Sequence, residues 1–249
     1  MKAFFLCDII KKGDYMKQKI GILDSGIGGT STLEEIKKIL PNEDYIYYAD
    51  SKNNPYGEKT PEEIYKIVKN IVEFLIAKNT KLIVLACNTA TTRCLKKLKI
   101  EYPNMLFVGT VPAIKVACDN NFKHTLVLAT PSTIDSERTK ELIRDNKRID
   151  QEITLISCEG LANAIETHNY KKIEEILLSV KEQVQDKNID SIVLGCTHYS
   201  LIKDKINEVF KDVTLLDGNY GVAKEVKHQL LINNLLNEAG HGKVDFIKS

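Results

Sequence analysis

The chain has 249 residues, 43% of them hydrophobic, enough to bury one large core or two modest ones. Lys and Arg total 35 against 34 Asp and Glu, a net charge of +1 that carries no nucleic-acid footprint, and no apolar run approaches the roughly 18 residues of a membrane span. The six cysteines (Cys7, Cys87, Cys94, Cys118, Cys158 and Cys196) show no CxxC or paired metal-ligand spacing, and with no export signal they predict reduced thiols in a cytoplasmic protein.

Residues 1–15 have a basic start and a short apolar stretch that Asp8 interrupts; Met16 precedes the first clear strand, so 1–15 reads as an N-terminal extension without assigned function. A strand over 20–23 leads into the turn Gly26-Ile27-Gly28-Gly29 and a helix over 30–40. A strand over 45–49 is followed by a loop over 50–59 containing Asn53-Asn54-Pro55-Tyr56-Gly57. Thr60, Pro61 and Glu63 form a capping-box start for a helix to about 78, with Ile64, Ile67, Val68, Ile71, Phe74 and Leu75 on one face. A strand over 81–86, Cys87 and a helix come next, then a strand over 106–108 and a helix over 111–119. The pattern repeats with a strand over 125–129, the turn Thr130-Pro131-Ser132-Thr133 with a helix through 144, and a strand over 153–157. Helices over 160–166 and 173–187, a strand over 190–194, Cys196, a helix over 199–210, a strand over 213–216 and a terminal helix over 221–237 complete it.

Strands separated by helices of this length predict an α/β protein with parallel, doubly wound sheets, their ligand edge at the carboxyl ends of the strands. The turn after the 20–23 strand echoes the turn after the 125–129 strand, each a similar distance upstream of a cysteine. The predicted architecture is two pseudo-symmetric doubly wound parallel-sheet lobes with the active site in the cleft between them. Residues 16–109 plus 212–249 form the first lobe and 110–211 the second, with the crossover near Gly109 and the terminal helix returning to the first lobe.

Val84-Leu85-Ala86-Cys87-Asn88-Thr89-Ala90-Thr91 and Val193-Leu194-Gly195-Cys196-Thr197-His198-Tyr199-Ser200 set two cysteines in near-identical surroundings. A thiol at a strand end that opens a helix meets free amides, which favour the thiolate. One such thiol on each wall of a cleft is what a racemase needs: one sulfur takes a proton from one face of a carbon and the other returns one to the opposite face.

Five strings together resemble the glutamate racemases of the aspartate/glutamate racemase superfamily. They are Gly21-Ile22-Leu23-Asp24-Ser25-Gly26-Ile27-Gly28-Gly29, Asp50 with Pro55-Tyr56-Gly57, Cys87-Asn88-Thr89-Ala90, Val111-Pro112-Ala113-Ile114-Lys115 and Gly195-Cys196-Thr197-His198-Tyr199. They occur in family order across nearly the whole chain, from Lys19 to Leu236. The resemblance implies cofactor-independent racemisation of glutamate, supplying D-glutamate for peptidoglycan, with Cys87 and Cys196 as the acid/base thiols. It implies that Asp24, Ser25, Tyr56, Gly57, Asn88, Thr89, Thr197 and His198 surround the substrate. Asn88, Thr89, Thr133 and Thr197 are donors suited to its carboxylates and to charge developing at the carbon. His198 is expected to hold or relay a proton for Cys196, and Asp24 to serve Cys87 or the substrate ammonium.

The run from Cys158 to Glu166 departs from the family pattern, with Glu159 and Asn163 where prolines are usual; Glu166 aligns with a glutamate that assists the histidine-side thiol. Ser132 stands where glycine is common, and Asp217-Gly218-Asn219-Tyr220 replaces the usual Asp-Ser turn. The expected partner is a small amino-acid substrate, with no metal or cofactor, and a homodimer is expected because closed symmetric dimers are the commonest oligomers. The alternatives are a racemase of aspartate or another amino acid, a thiol isomerase or decarboxylase acting covalently, a metal site built from Cys87, Cys196, His198 and Asp24, and a catalytically inactive amino-acid-binding protein.

Overall fold

Alternation of enclosed side chains along the strands builds the first lobe. In β1 (Lys19–Asp24), β2 (Tyr45–Ala49), β3 (Thr80–Leu85) and β4 (Leu106–Gly109), neighbouring residues point to opposite faces of one sheet. Ile20, Ile22, Tyr45, Tyr47, Leu82 and Val84 join one apolar layer with Leu33 and Ile36. Leu23, Ile46, Ile83 and Leu85 join the other, with Ile64, Val68, Val72 and Leu75 of the Pro61–Ala77 helix. A sheet covered on both faces explains why these strands read as nearly continuous apolar runs. The computed structural model describes residues 18–238 and 240–249, so the extension expected over 1–15 lies outside the described residues.

The second lobe repeats the plan with β5 (His124–Ala129), β6 (Glu152–Ser157), β7 (Ser191–Leu194) and β8 (Thr214–Leu216). The sheet orders are β4-β3-β1-β2 and β6-β5-β7-β8, with parallel pairing throughout. In both lobes the second strand lies on one side of the first and the third on the other. The winding therefore reverses between β1 and β3 and again between β5 and β7, where the crevice of a doubly wound sheet opens. Asp24 ends β1, Cys87 follows β3, Thr130 follows β5 and Cys196 follows β7.

Several expectations need correction. The chain leaves the second lobe after Leu216, not at 212: Thr214 pairs with Ser191, Ile192 with Leu215 and Val193 with Leu216. The terminal helix, Asn219–Ile232, does return to the first lobe, burying Val222, Ala223, Val226 and Leu230 against its core; full burial of a large aliphatic side chain contributes about 1.5–3 kcal/mol. The helix expected through 144 breaks at Ser136, whose hydroxyl caps a new helix, Glu137–Asn146, by accepting from the Thr139 amide. The helix expected over 199–210 begins as a 3₁₀ turn, Thr197–Ile202, and becomes α-helical only over Lys203–Val209. A final strand, β9 (Val244–Lys248), lies parallel to β2 at the sheet edge. Asp245, Phe246 and Lys248 are exposed, so the strand carries no buried apolar run that would mark it in the sequence.

Candidate active site

Cys87 follows the carboxyl end of β3 as N-cap of the Asn88–Glu101 helix, only 5% exposed, with Sγ 3.6 Å from Ser25 Oγ. The helix amides were expected to favour a thiolate here. Burial instead pushes the thiol well above its ordinary range, and the charge of Asp24 adds to that. Stabilisation from the Ala90 amide and the Ser25 hydroxyl does not offset the two. Cys87 is a thiol at neutral pH.

Cys196 occupies the equivalent place after β7 but opens a 3₁₀ turn rather than an α-helix, so the macrodipole argument is weaker there. An imidazole stands in its place: His198 Nδ1 lies 3.9 Å from Cys196 Sγ, and Nε2 lies 2.8 Å from Glu166 Oε2. Burial works against the imidazolium, but hydrogen bonds to Cys196 and Glu166 and the charges of Cys196 and Asp24 outweigh it, and His198 is pushed up to about 10. Burial likewise opposes charge on Glu166, yet bonds from His198, the Ile27 amide and Ser51 pull it down to about 2. The result is an imidazolium–carboxylate pair in contact with Cys196.

Glu166 also joins the lobes. Its Oε2 accepts from the Ile27 amide at 3.0 Å and its Oε1 from Ser51 Oγ at 2.9 Å, both in the first lobe. The turn at Gly28 packs directly on His198: a Cβ there would lie 2.5 Å from the His198 amide nitrogen and 2.6 Å from Nδ1. Only glycine permits that approach.

Asp24 is fully buried and accepts from the Gly26 amide at 3.1 Å, the Gly29 amide at 3.0 Å and Thr197 Oγ1 at 3.2 Å. Burial raises its carboxyl above the ordinary range; the facing His198 charge and these three donors counter it in part. Ser25, next in the chain, meets the Cys87 thiol, and Thr197, next to Cys196, is held by Asp24.

A hydroxyl cluster spans the lobes beside Cys87. Thr89 Oγ1 lies 2.9 Å from Thr130 Oγ1 and 3.2 Å from Thr133 Oγ1. Asn88 Oδ1 is buried with no hydrogen-bond partner, an open polar atom next to Cys87. Tyr56 is buried too, but its hydroxyl is committed to Asp50 Oδ2 at 2.6 Å, so it supports the loop rather than offering a free donor. Gly57 brings that loop against the second lobe, since a Cβ on it would lie 2.6 Å from Thr130 Cβ.

Asp24, Ser25, Tyr56, Gly57, Asn88, Thr89, Thr133, Glu166 and the Cys196–His198 stretch lie with Cys87 at or beside this interlobe cleft. Ser51 and Thr130 complete it and are not among the expected site residues; Asp50, part of the family string with Tyr56, anchors the Tyr56 hydroxyl. Thr130 had a signal in its turn motif; Ser51 had none, because its role exists only once Glu166 of the other lobe reaches it. Among the described residues no group of three or more His, Cys, Asp or Glu side chains is arranged to hold a metal ion, and Cys87, Cys196, His198 and Asp24 do not form one. No helix among them is long and apolar enough to cross a membrane.

The family model for Asp/Glu/hydantoin racemases matches residues 20–226. The chain belongs to that family. It is 40% identical over 228 residues to a glutamate racemase of Clostridium novyi (strain NT), covering 90% of this chain and 88% of the relative. A glutamate racemase of Clostridium perfringens (strain ATCC 13124) is 39% identical over 241 residues, covering 95% and 92%. Among solved structures, the glutamate racemase of Francisella tularensis subsp. tularensis SCHU S4 in complex with D-glutamate superposes with a TM-score of 0.81 at 30% identity, covering 94% of this chain and 88% of that one.

Proposed function

We propose that this family member interconverts L-glutamate and D-glutamate without a cofactor, using Cys87 and Cys196 as its two acid/base groups. The observation that carries this reading is positional. The two thiols follow topologically equivalent strands, β3 and β7, at the reversal points of two lobes with the same strand order. The 40% identity to a clostridial glutamate racemase and the likeness to a D-glutamate complex support glutamate as substrate.

The proton inventory is asymmetric. Cys87 carries its proton at neutral pH, while His198, charged beside Cys196, is the counter-ion a thiolate there requires. In one direction the Cys196 sulfur takes the α-proton: the Cα–H bond breaks and an S–H bond forms. Cys87 then delivers its own proton to the opposite face, leaving a thiolate. The reverse reaction exchanges the roles. His198 and Glu166 stabilise the charged state on one wall, and Ser25 with the Ala90 amide does so on the other. Asn88, Thr89 and Thr133 donate to the carboxylates and to charge building at Cα, while Thr197 holds Asp24, which receives the ammonium.

D-glutamate made this way would supply peptidoglycan synthesis. The five free thiols among the described residues suit a reducing cytoplasm, and a homodimer suits a family-sized soluble enzyme. The test is circular dichroism of L-glutamate and of D-glutamate incubated with the protein, beside Cys87→Ala and Cys196→Ala. Decay of both signals to zero, abolished by either substitution, is expected; decay with L-aspartate but not glutamate would reassign the substrate.

A further inference from the structure

Arg93 lies in the second turn of the Asn88–Glu101 helix that Cys87 caps, half-buried at the lobe boundary. Its guanidinium crosses to the second lobe, where Nε donates to Ser132 Oγ at 2.9 Å and Nη2 to the Ser132 carbonyl at 2.7 Å. Among the described residues it has no carboxylate partner, so its charge is directed at one serine. A planar fork on two acceptors of a single residue fixes both position and orientation, which a flexible ammonium does not.

Ser132 sits between Thr130 and Thr133, whose hydroxyls meet Thr89 from across the cleft. Within the turn, Thr130 Oγ1 bonds Thr133 Oγ1 at 3.1 Å and accepts from the Thr133 amide at 3.3 Å. Holding Ser132 therefore holds both threonines. The Arg93 fork and the Glu166 contacts to Ile27 and Ser51 tie the lobes together on the two thiol sides of the cleft. Only the Glu166 contacts touch the acid/base machinery.

We propose that Arg93 is a positioning residue for the substrate carboxylate pocket: its fork on Ser132 sets the 130–133 turn of the second lobe against Thr89 of the first. The proposal rests on the racemase reading for its kinetic consequence, not for its structural one. With the fork intact, the three hydroxyls stand assembled before substrate arrives, and binding does not have to order them. Without it the turn relaxes and substrate bears that ordering cost, while the thiols, His198 and Glu166 stay in place.

The test combines steady-state kinetics in both directions with hydrogen–deuterium exchange of the segment 130–136, on wild type, Arg93→Ala, Arg93→Lys and Ser132→Ala. Loss of charged hydrogen bonds is expected to raise the KM of Arg93→Ala about tenfold for both enantiomers, with kcat within about threefold of wild type. Arg93→Lys recovers less than half of that rise, because one ammonium cannot reproduce the fork. Ser132→Ala keeps the carbonyl bond and raises KM about threefold. Exchange over 130–136 accelerates in Arg93→Ala and less in Ser132→Ala. A KM within twofold of wild type, unchanged exchange, or a loss confined to kcat would each overturn the proposal. Should wild type not racemise glutamate, the racemase reading fails, and exchange alone still decides whether Arg93 holds the turn.

Discussion

His198 Nε2 lies 2.8 Å from Glu166 Oε2, and the same oxygen accepts from the Ile27 amide of the opposite lobe at 3.0 Å. One carboxylate oxygen thus charges the imidazole beside Cys196 and closes the cleft. Protonation and lobe geometry are joined at that atom.

Glu166→Gln removes the charge and keeps the shape. His198 then loses a partner that holds it near 10, and the alkaline limb of the kcat/KM profile moves to lower pH. The expected loss in kcat is about ten- to a hundredfold. The sign for stability follows from both shifts. His198 is raised from its ordinary 6.5, so its contribution is whole below about pH 6.5 and lost as pH climbs through about 10. Glu166 is lowered from its ordinary 4.5, so its contribution is whole above pH 4.5 and lost as pH falls towards 2. Denaturation midpoints measured across pH should fall at both ends in wild type and less steeply in Glu166→Gln; an alkaline limb identical in the two proteins would contradict the pairing.

Gly28→Ala tests the packing behind that pair. The added methyl would fall 2.5 Å from the His198 backbone nitrogen, and a backbone atom cannot swing aside as a side-chain tip can. The Cys196–His198 turn must shift, and displacement of a reacting group by about 1 Å can cost a hundredfold in rate. Kinetics with a thermal melt should show a kcat about a hundredfold lower in a protein that still melts cooperatively.

The fold was largely legible because both sheets are covered on two faces, so the central strands read as nearly continuous apolar runs bounded by turn residues. The edges were not. Thr214–Leu216 is three residues long, and its assignment to the second sheet depends on pairing with Ser191, Ile192 and Val193 rather than on composition. Val244–Lys248 is an exposed edge strand fixed by Tyr45–Ala49 and by Phe246 stacking on Tyr47, with ring centroids 5.0 Å apart. At the site, strand-end cysteines with their neighbouring Asn, Thr and His are local motifs and can be read directly. Ser51 and Arg93 act through contacts between distant segments, which no local spacing encodes; the Tyr56 hydroxyl is committed to Asp50 only six residues away, but by a loop conformation that composition does not fix.

One buried ion pair carries a separate prediction for stability. Lys81 Nζ lies 2.6 Å from Glu43 Oε2, with both side chains fully enclosed. Lys81 also donates to the Leu235 carbonyl at 2.7 Å, and Glu43 accepts from the Asn237 amide at 2.8 Å, fastening the segment after the terminal helix. Glu43→Ala leaves a buried ammonium unpaired and should cost about 3–5 kcal/mol by urea denaturation. Replacing both, as in Glu43→Leu with Lys81→Met, should recover much of that loss. Equal losses in the single and double variants would show that the pair itself is not what matters.

The most direct test of two opposed thiols is racemisation of L-glutamate in deuterium oxide, stopped early, with product and residual substrate analysed separately by mass spectrometry. Two groups on opposite faces give D-glutamate carrying one deuterium at Cα and residual L-glutamate carrying none, because the proton returned to the product comes from solvent-exchanged sulfur. Deuterium appearing in residual L-glutamate as fast as in D-glutamate would mean that one group serves both faces, contradicting the assignment of Cys87 and Cys196 to separate walls.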